Sequence, residues 1–324
     1  MKRRQLLAGS LGALAAPAVA RANTKYPDRT IRLIVPFPAG GATDIVGRMF
    51  ADKLTHILGQ TVIVDNKSGA SGSIGATEVK NAKPDGYTLL VATSSTHAIN
   101  PTAFVNRPYD PIADFTPIAS VCINPLVFYS NPSMPPTMME LIKLMKDNPG
   151  KYSYGSAGVG SIVHLAAEYL KRSVGGMDVV HVPYKGGAPA IQDTIAGNIV
   201  WSFETISTTL PLHRSGKLRI NAFCHSKRAP TAPDIPTMVE AGVTGYEVYT
   251  FSLILGPPGM PPDVVETLDK ASRQAMADPA TTKFLEGNSA IPTPDTTPQR
   301  TEQFIKDELT KWAPIIRDAN VKIA

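Results

Sequence analysis

One pattern constrains this chain more than any other. Short runs of branched apolar residues are each followed by a glycine-rich turn and then by apolar positions three or four residues apart. Ile31–Val35 is the first such run. Residues 36–41 break it, and Thr43 opens a helical pattern carried by Val46, Phe50 and Leu54, with Ile45, Met49, Ile57 and Leu58 beside it. Residues 61–65 predict a second strand, 67–75 a glycine-serine loop, 74–81 a helix and 87–92 a third strand entered through Pro84-Asp85-Gly86. Strand and helix in strict alternation require parallel β/α units.

The same grammar restarts further on. Tyr152-Ser153-Tyr154 leads through a glycine turn into a helix containing Leu165, Tyr169 and Leu170. Residues 179–182 lead into Tyr184-Lys185-Gly186-Gly187 and a helix around 191–196, and strands follow at 199–203 and 218–223. These predict a second α/β lobe. Between the two lie residues 114–129 and 246–255, extended in character, which supply the strands of a two-stranded hinge. The expected division places 23–122 with 250–324 in one lobe and 123–249 in the other. From Pro261 onward the tail predicts two helices separated by a proline- and threonine-rich linker at 291–298.

The first residues predict export. Met1-Lys2-Arg3-Arg4 precedes an uncharged stretch with Leu6, Leu7, Leu11, Ala13 and Leu14, closed by Ala18-Val19-Ala20 and Ala20-Arg21-Ala22. A basic start, a short apolar middle and a small-x-small site make residues 1–22 a signal peptide, with cleavage after Ala20 or Ala22. Arg3-Arg4 leaves both the general and the twin-arginine routes open. Lys2, Arg3, Arg4 and Arg21 supply four of the formal +5 charges, so the processed chain carries +1. The basic balance therefore belongs to the leader, and no nucleic-acid partner is expected. Later apolar runs fall short of the ~20 residues that cross a bilayer. Cys122 and Cys224 sit in apolar strand-like runs, where buried free thiols and a single disulfide both stay open.

Five stretches between a strand and the next element can carry function. The first includes Phe37, Ala39, Gly40, Gly41, Ala42 and Thr43, where backbone N–H groups at a helix start suit a carboxylate or phosphate. An ordinary turn capped by Thr43 or Asp44 is the alternative. The second holds Ser156, Ala157, Gly158 and Ser161 at another helix start. It is neither a dinucleotide fingerprint nor a P-loop, since Val163 stands at the final small position and no Gly-Lys-Ser/Thr follows. The third, at 92–100, is a hydroxyl-rich loop with Ser94, Ser95 and His97. Tyr184 in the fourth offers a wall or an O–H donor, and Glu204, beside Phe203 in the fifth, an acceptor or a cap. Two anion-ready loops, one per lobe, at the carboxyl ends of strands predict a cleft that closes on an anion. Catalysis is not expected. There is no Gly-x-Ser-x-Gly elbow and no histidine pair or cysteine cluster with metal-ligand spacing, so neither metal nor cofactor is predicted.

Several of these stretches together resemble a known family. They are the run from Tyr26 to Asp44, Asn66-Lys67-Ser68-Gly69-Ala70-Ser71-Gly72, Lys83-Pro84-Asp85-Gly86-Tyr87-Thr88-Leu89, Tyr154-Gly155-Ser156-Ala157-Gly158, Val182-Pro183-Tyr184-Lys185-Gly186 and Pro236-Thr237-Met238-Val239-Glu240-Ala241-Gly242. In that order they resemble the tripartite tricarboxylate receptor, or Bug, group of extracytoplasmic solute-binding proteins. The resemblance implies a periplasmic monomer of the type II binding-protein fold, two α/β lobes joined by a two-stranded hinge. It implies a carboxylate held by backbone N–H groups and water from residues 37–43, with 156–161 and Tyr184 contributed by the second jaw. It also implies membrane permease subunits as partners, or, in a minority of relatives, a sensor kinase. Two departures stand out: many members carry an aspartate where Glu204 falls and a tryptophan near Tyr249 and Phe251. An aromatic carboxylate therefore stays among the expected ligands.

Overall fold

The structure is a computed structural model that describes residues 26–323, and the expected signal peptide at 1–22 lies outside them. Strand β1 (Ile31–Val35) is buried along its length except at Arg32 and pairs in parallel with β2 (Val62–Asn66) on one side. A strand covered on both faces needs a continuous apolar run, which is what the sequence supplies. Helix α1 (Ala42–Leu58) covers one face, with Val46, Phe50, Ala51 and Leu54 in one core with Ile31, Leu33 and Val35. Gly47 lets α1 sit directly on the strand, because a Cβ there would lie 2.9 Å from a Val35 methyl. α1 stops at Gly59, whose φ of 68° returns its N–H to the Thr55 carbonyl. Helix α2 (Ser73–Lys80) covers the opposite face through Ala76 and Val79, and β3 (Thr88–Ala92) completes this parallel unit against β1.

The hydroxyl-rich stretch after β3 is not a loop. It forms a π-helical turn, Ser95–Ile99, followed by α3 (Asn100–Ala103). The Thr96 hydroxyl accepts the Thr93 N–H (2.9 Å) and donates to the Thr93 carbonyl (3.1 Å), so side chains read as surface donors are spent on closing the turn.

Strand β4 (Thr116–Ser130) then pairs with strands of both halves of the sheet. After it come α4 (Met138–Lys146), β5 (Ser153–Ser156), α5 (Ile162–Ser173), β6 (Val180–Pro183), α6 (Gly187–Ala196), β7 (Trp201–Thr205), α7 (Ile206–Arg214) and β8 (Arg219–Phe223). Strand β9 (Tyr249–Gly256) returns to the first half. The path through the sheet is β2-β1-β3-β9-β4-β7-β5-β6, with β8 also on β4. Thr116 to Pro125 pair with β9, whereas Leu126 to Ser130 pair with β7. The two extended segments read as a hinge are thus one antiparallel pair linking both lobes. The expected lobe limits, 122/123 and 249/250, fall inside β4 and at the start of β9.

The tail differs from expectation. It holds three helices, α8 (Pro262–Ala277), α9 (Pro279–Gly287) and α10 (Pro298–Asp318). Pro279 has no N–H with which to extend α8, so the chain restarts there, and the Asp278 carboxylate caps the new helix at the Ala280 N–H (2.8 Å). Within the expected linker, β10 (Ile291–Pro292) pairs with Ile123 and Cys122. Helix α10 bridges the lobes: Ile305, Trp312 and Ile316 share a core with Ile34 and Leu90 and also with Leu165 and Leu170 of α5.

Candidate functional site

The carboxyl ends of the parallel strands β1 and β3 open beside the β4–β9 pair in one lobe, and those of β5, β6 and β7 open beside it in the other. The loops singled out from the sequence leave these ends.

The first loop is built around Asp44, which is 3% exposed. Its carboxylate accepts from the Gly40 N–H (2.9 Å), the Arg48 guanidinium (2.9 Å) and the Asn66 amide (2.9 Å). Asn66 also donates to the Phe37 carbonyl (3.0 Å), so one amide ties the start of the loop to its anchor. Burial pushes the Asp44 carboxyl upward, but bonds from Arg48, Gly40 and Asn66 outweigh it and hold the group below the ordinary carboxylate range. Of the expected main-chain donors, that of Gly40 is therefore already occupied. Those further along stay open: the first helical bond runs from Ile45 to the Gly41 carbonyl, and Gly41 makes no side-chain cap. The N–H groups of Ala42, Thr43 and Asp44 precede that bond and lack a helical acceptor. Ala39, Gly40 and Gly41 are exposed and Phe37, Ala42 and Thr43 half-buried, so this helix start faces solvent. Gly40 has a φ of 84° with nothing within 4 Å of a Cβ position, so its glycine serves backbone conformation rather than clearance.

The second loop is more internally bonded than the sequence suggests. Ser156 is fully buried, and its hydroxyl lies 2.7 Å from His181 Nε2 while accepting the Gly158 N–H (3.1 Å). Ser161 caps α5 by accepting the His164 N–H (3.2 Å) and donates to the Gly158 carbonyl (2.7 Å). The Gly160 N–H donates to His164 Nδ1 (3.2 Å). Ala157 and Gly158 remain half-exposed above this braced turn. In the fourth loop the Tyr184 hydroxyl donates to Asp193 (2.7 Å), which leaves the ring as its free surface. Burial and that bond push the Tyr184 phenol up to about 12.

The remaining candidates separate. Ser94 is buried and donates to the Tyr249 carbonyl (3.2 Å), while Ser95 is half-buried. His97 is fully buried against Tyr109 and Phe115, and burial lowers it to about 3, so the ring is neutral. Phe203 lies in the core with Phe128, Trp201 and Tyr246 and presents no surface. Glu204 is half-buried where β7 meets β4. One of its oxygens accepts the Thr205 N–H (2.8 Å) and the other packs against Gly187, where a Cβ would come within 2.0 Å. Burial raises this carboxyl above the ordinary range. The sequence reading missed His181 and gave no organising role to Arg48 and Asn66. The second glycine of Gly186-Gly187 was the available signal for a side chain pressed against that turn.

Both cysteines are free and buried, and burial pushes the Cys122 thiol up to about 12 and raises Cys224 well above its ordinary value. Among the described residues no three His, Cys, Asp or Glu side chains form a group able to hold a metal, and no helix is long and apolar enough to cross a membrane.

Comparison with known proteins decides the family. The model of the tripartite tricarboxylate transporter family receptor matches residues 46–321. This chain belongs to that family. The periplasmic binding protein BugD is 34% identical, with a TM-score of 0.80 over 92% of this receptor and 99% of BugD. Rpa4515 of R. palustris, solved with adipate, is 32% identical, with a TM-score of 0.83 over 92% of this receptor and 99% of its own chain. MatC of Rhodopseudomonas palustris, solved with bound malate, is 30% identical, with a TM-score of 0.79 over 90% and 100%. The receptor has the two-lobed α/β fold of periplasmic binding proteins and is a solute receptor, not an enzyme.

Proposed function

We propose that this receptor works in the periplasm, captures a small mono- or dicarboxylate between its lobes and hands it to the membrane subunits of a tripartite tricarboxylate-type transporter. The observation that carries the reading is the solvent-facing start of α1, where the N–H groups of Ala42, Thr43 and Asp44 have neither helical acceptor nor side-chain cap. The positive end of a helix dipole favours negative charge, and main-chain donors bind it without a competing counter-ion. The start of α5 offers a second, braced surface at Ala157 and Gly158, with the Tyr184 ring beside it as a wall. A ligand that touches both surfaces favours the shut arrangement, because only that state makes both sets of contacts. The malate and adipate held by MatC and Rpa4515 support a carboxylate as the ligand class. The family supports membrane subunits of such a transporter as the partner.

Calorimetric titration with malate, adipate, citrate, nicotinate and benzoate tests the reading. Saturable binding of at least one of these acids is expected, with none for neutral sugars. Silence across the acids together with binding of a sugar or a cation overturns it.

A further inference from the structure

Two histidines lie beneath the second loop, and the binding role proposed above uses neither. The imidazoles of His164 (α5) and His181 (β6) stack face to face, with centroids 4.0 Å apart and planes 5° from parallel. Tyr154 of β5 stacks on His181 in turn, at 4.9 Å. Each imidazole holds one part of the loop. His181 Nε2 bonds the Ser156 hydroxyl, which receives the Gly158 N–H, and His164 Nδ1 receives the Gly160 N–H. The Gly158 and Gly160 φ angles are 118° and 77°, a region that glycine enters freely, so the bonds to the two imidazoles select this turn among those open to it.

From this geometry we propose that His164 and His181 are positioning residues for the second loop, and that the loop keeps its binding shape only while His164 is neutral, so that solute affinity falls on acidification. The proposal rests on the carboxylate reading for its ligand but not for its structural readout. An acceptor at His164 Nδ1 is incompatible with a proton there. Protonation turns that nitrogen into a donor facing the Gly160 N–H, and the bond is lost. Two parallel rings at this distance cannot both carry charge in a half-buried site without strong repulsion.

The surrounding groups do not relieve this. On α5 itself lie Glu168 and Lys171. Glu168 is the one anion facing the pair among the described residues, and it is already bonded to Lys171 (2.9 Å) and to the Tyr154 hydroxyl (2.7 Å). Ser156 and Tyr154 from β5 are neutral, and from the tail the side chains of Val321 and Ile323 face Gly160. Arg172 and Asp318 pair with each other at the exposed end of α5. Burial, then His181, lowers His164 to about 4, and burial lowers His181 as well.

The experiment uses the mature chain and two variants, His164→Asn and His164→Phe. Asparagine presents an acceptor near the Nδ1 position and never charges, whereas phenylalanine keeps the stack and removes the acceptor. Nuclear magnetic resonance of the ligand-free protein follows the Gly158 and Gly160 amides from about pH 7.5 to about 4. In the wild type both amides are expected to shift in step with His164 titration and to lose protection at the acid end, measured against the intrinsic exchange rate at each pH. His164→Asn holds their shifts and protection constant, and His164→Phe shows low protection at every pH. Binding of malate and adipate is measured on the same samples. The wild type is expected to lose about twofold more affinity than His164→Asn by about pH 4, where about half of the His164 rings carry the proton. Ligand protonation cancels between the two. Should His164→Phe fail to fold, the asparagine variant still decides. Wild-type amides that stay unchanged while His164 titrates, or an equal acid loss in His164→Asn, overturn the proposal. If neither acid binds at neutral pH, the carboxylate reading fails and the amide titration still judges the histidine pair.

Discussion

Asp44 shows how a single side chain shapes a binding surface that it does not itself provide. Its carboxylate joins Gly40, Arg48 and Asn66, so it fixes where the chain enters α1 and leaves the next three N–H groups outward. Asp44→Ala removes a buried charge and leaves the Asn66 amide and the Gly40 N–H without this acceptor. A loss of about 2–4 kcal/mol is expected by urea denaturation, together with loss of solute binding. The pH dependence has a definite sign. The folded Asp44 titrates below its unfolded value, so its stabilisation is full above the ordinary carboxylate range and is lost as pH falls through that range toward the folded value. The variant should therefore show a flatter fall in stability below about pH 4 than the wild type. Glu204 makes a different point at the same scale. It was legible as an acidic residue after a strand, but its pressing against Gly187 was not, because that contact joins two separate turns.

At the scale of elements, caps and breaks explain where helices begin more reliably than apolar spacing does. Helix α4 carries a complete capping box, in which the Thr137 hydroxyl accepts the Glu140 N–H and the Glu140 carboxylate accepts the Thr137 N–H. Thr137→Ala should cost about 1 kcal/mol in thermal or chemical unfolding with no change in solute affinity, since α4 carries none of the binding loops. A marked affinity loss would mean that α4 takes part in binding. Most strands and helices were readable to within a residue or two, because periodicity and glycine turns act locally. Helices α4, α7 and α9 escaped the reading, the last although Pro279 marks its start. Two further exceptions share one cause. The turn after β3 and the short β10 draw their hydrogen bonds from side chains or from distant backbone, and apolar spacing carries no trace of either.

Over the whole molecule, the feature least visible in the sequence is the continuity between the lobes. Helix α10 contributes Trp312, fully buried with its indole N–H on Glu308 (3.0 Å), to a core that also holds Trp201 of β7. Glu308 in turn accepts the Tyr249 hydroxyl (2.7 Å) from the first residue of β9. At the end of the tail, the Ile323 N–H donates to the Ala103 carbonyl (2.8 Å), while its side chain lies against Gly160 of the second loop. Such sharing should make the lobes unfold together. The chain has two tryptophans, so Trp312→Phe leaves Trp201 as the lone reporter of the second lobe. Its fluorescence transition in urea should coincide with the far-ultraviolet circular dichroism of the whole chain. Two separate transitions would show that the bridging core does not couple the lobes.

The sequence by itself determined the alternation of strands and helices in both lobes, the paired hinge strands, and the positions of the glycine turns at the carboxyl ends of strands. All of these follow from period, chain reversal and positive-φ demands that neighbouring residues settle among themselves. Only the tertiary structure decided which donors in those turns stay free. The partners that occupy the rest come from afar: Asn66 reaches Asp44 across 22 residues and His181 reaches Ser156 across 25. A hydrogen bond formed over such a separation depends on the packing of whole strands, which no local pattern records.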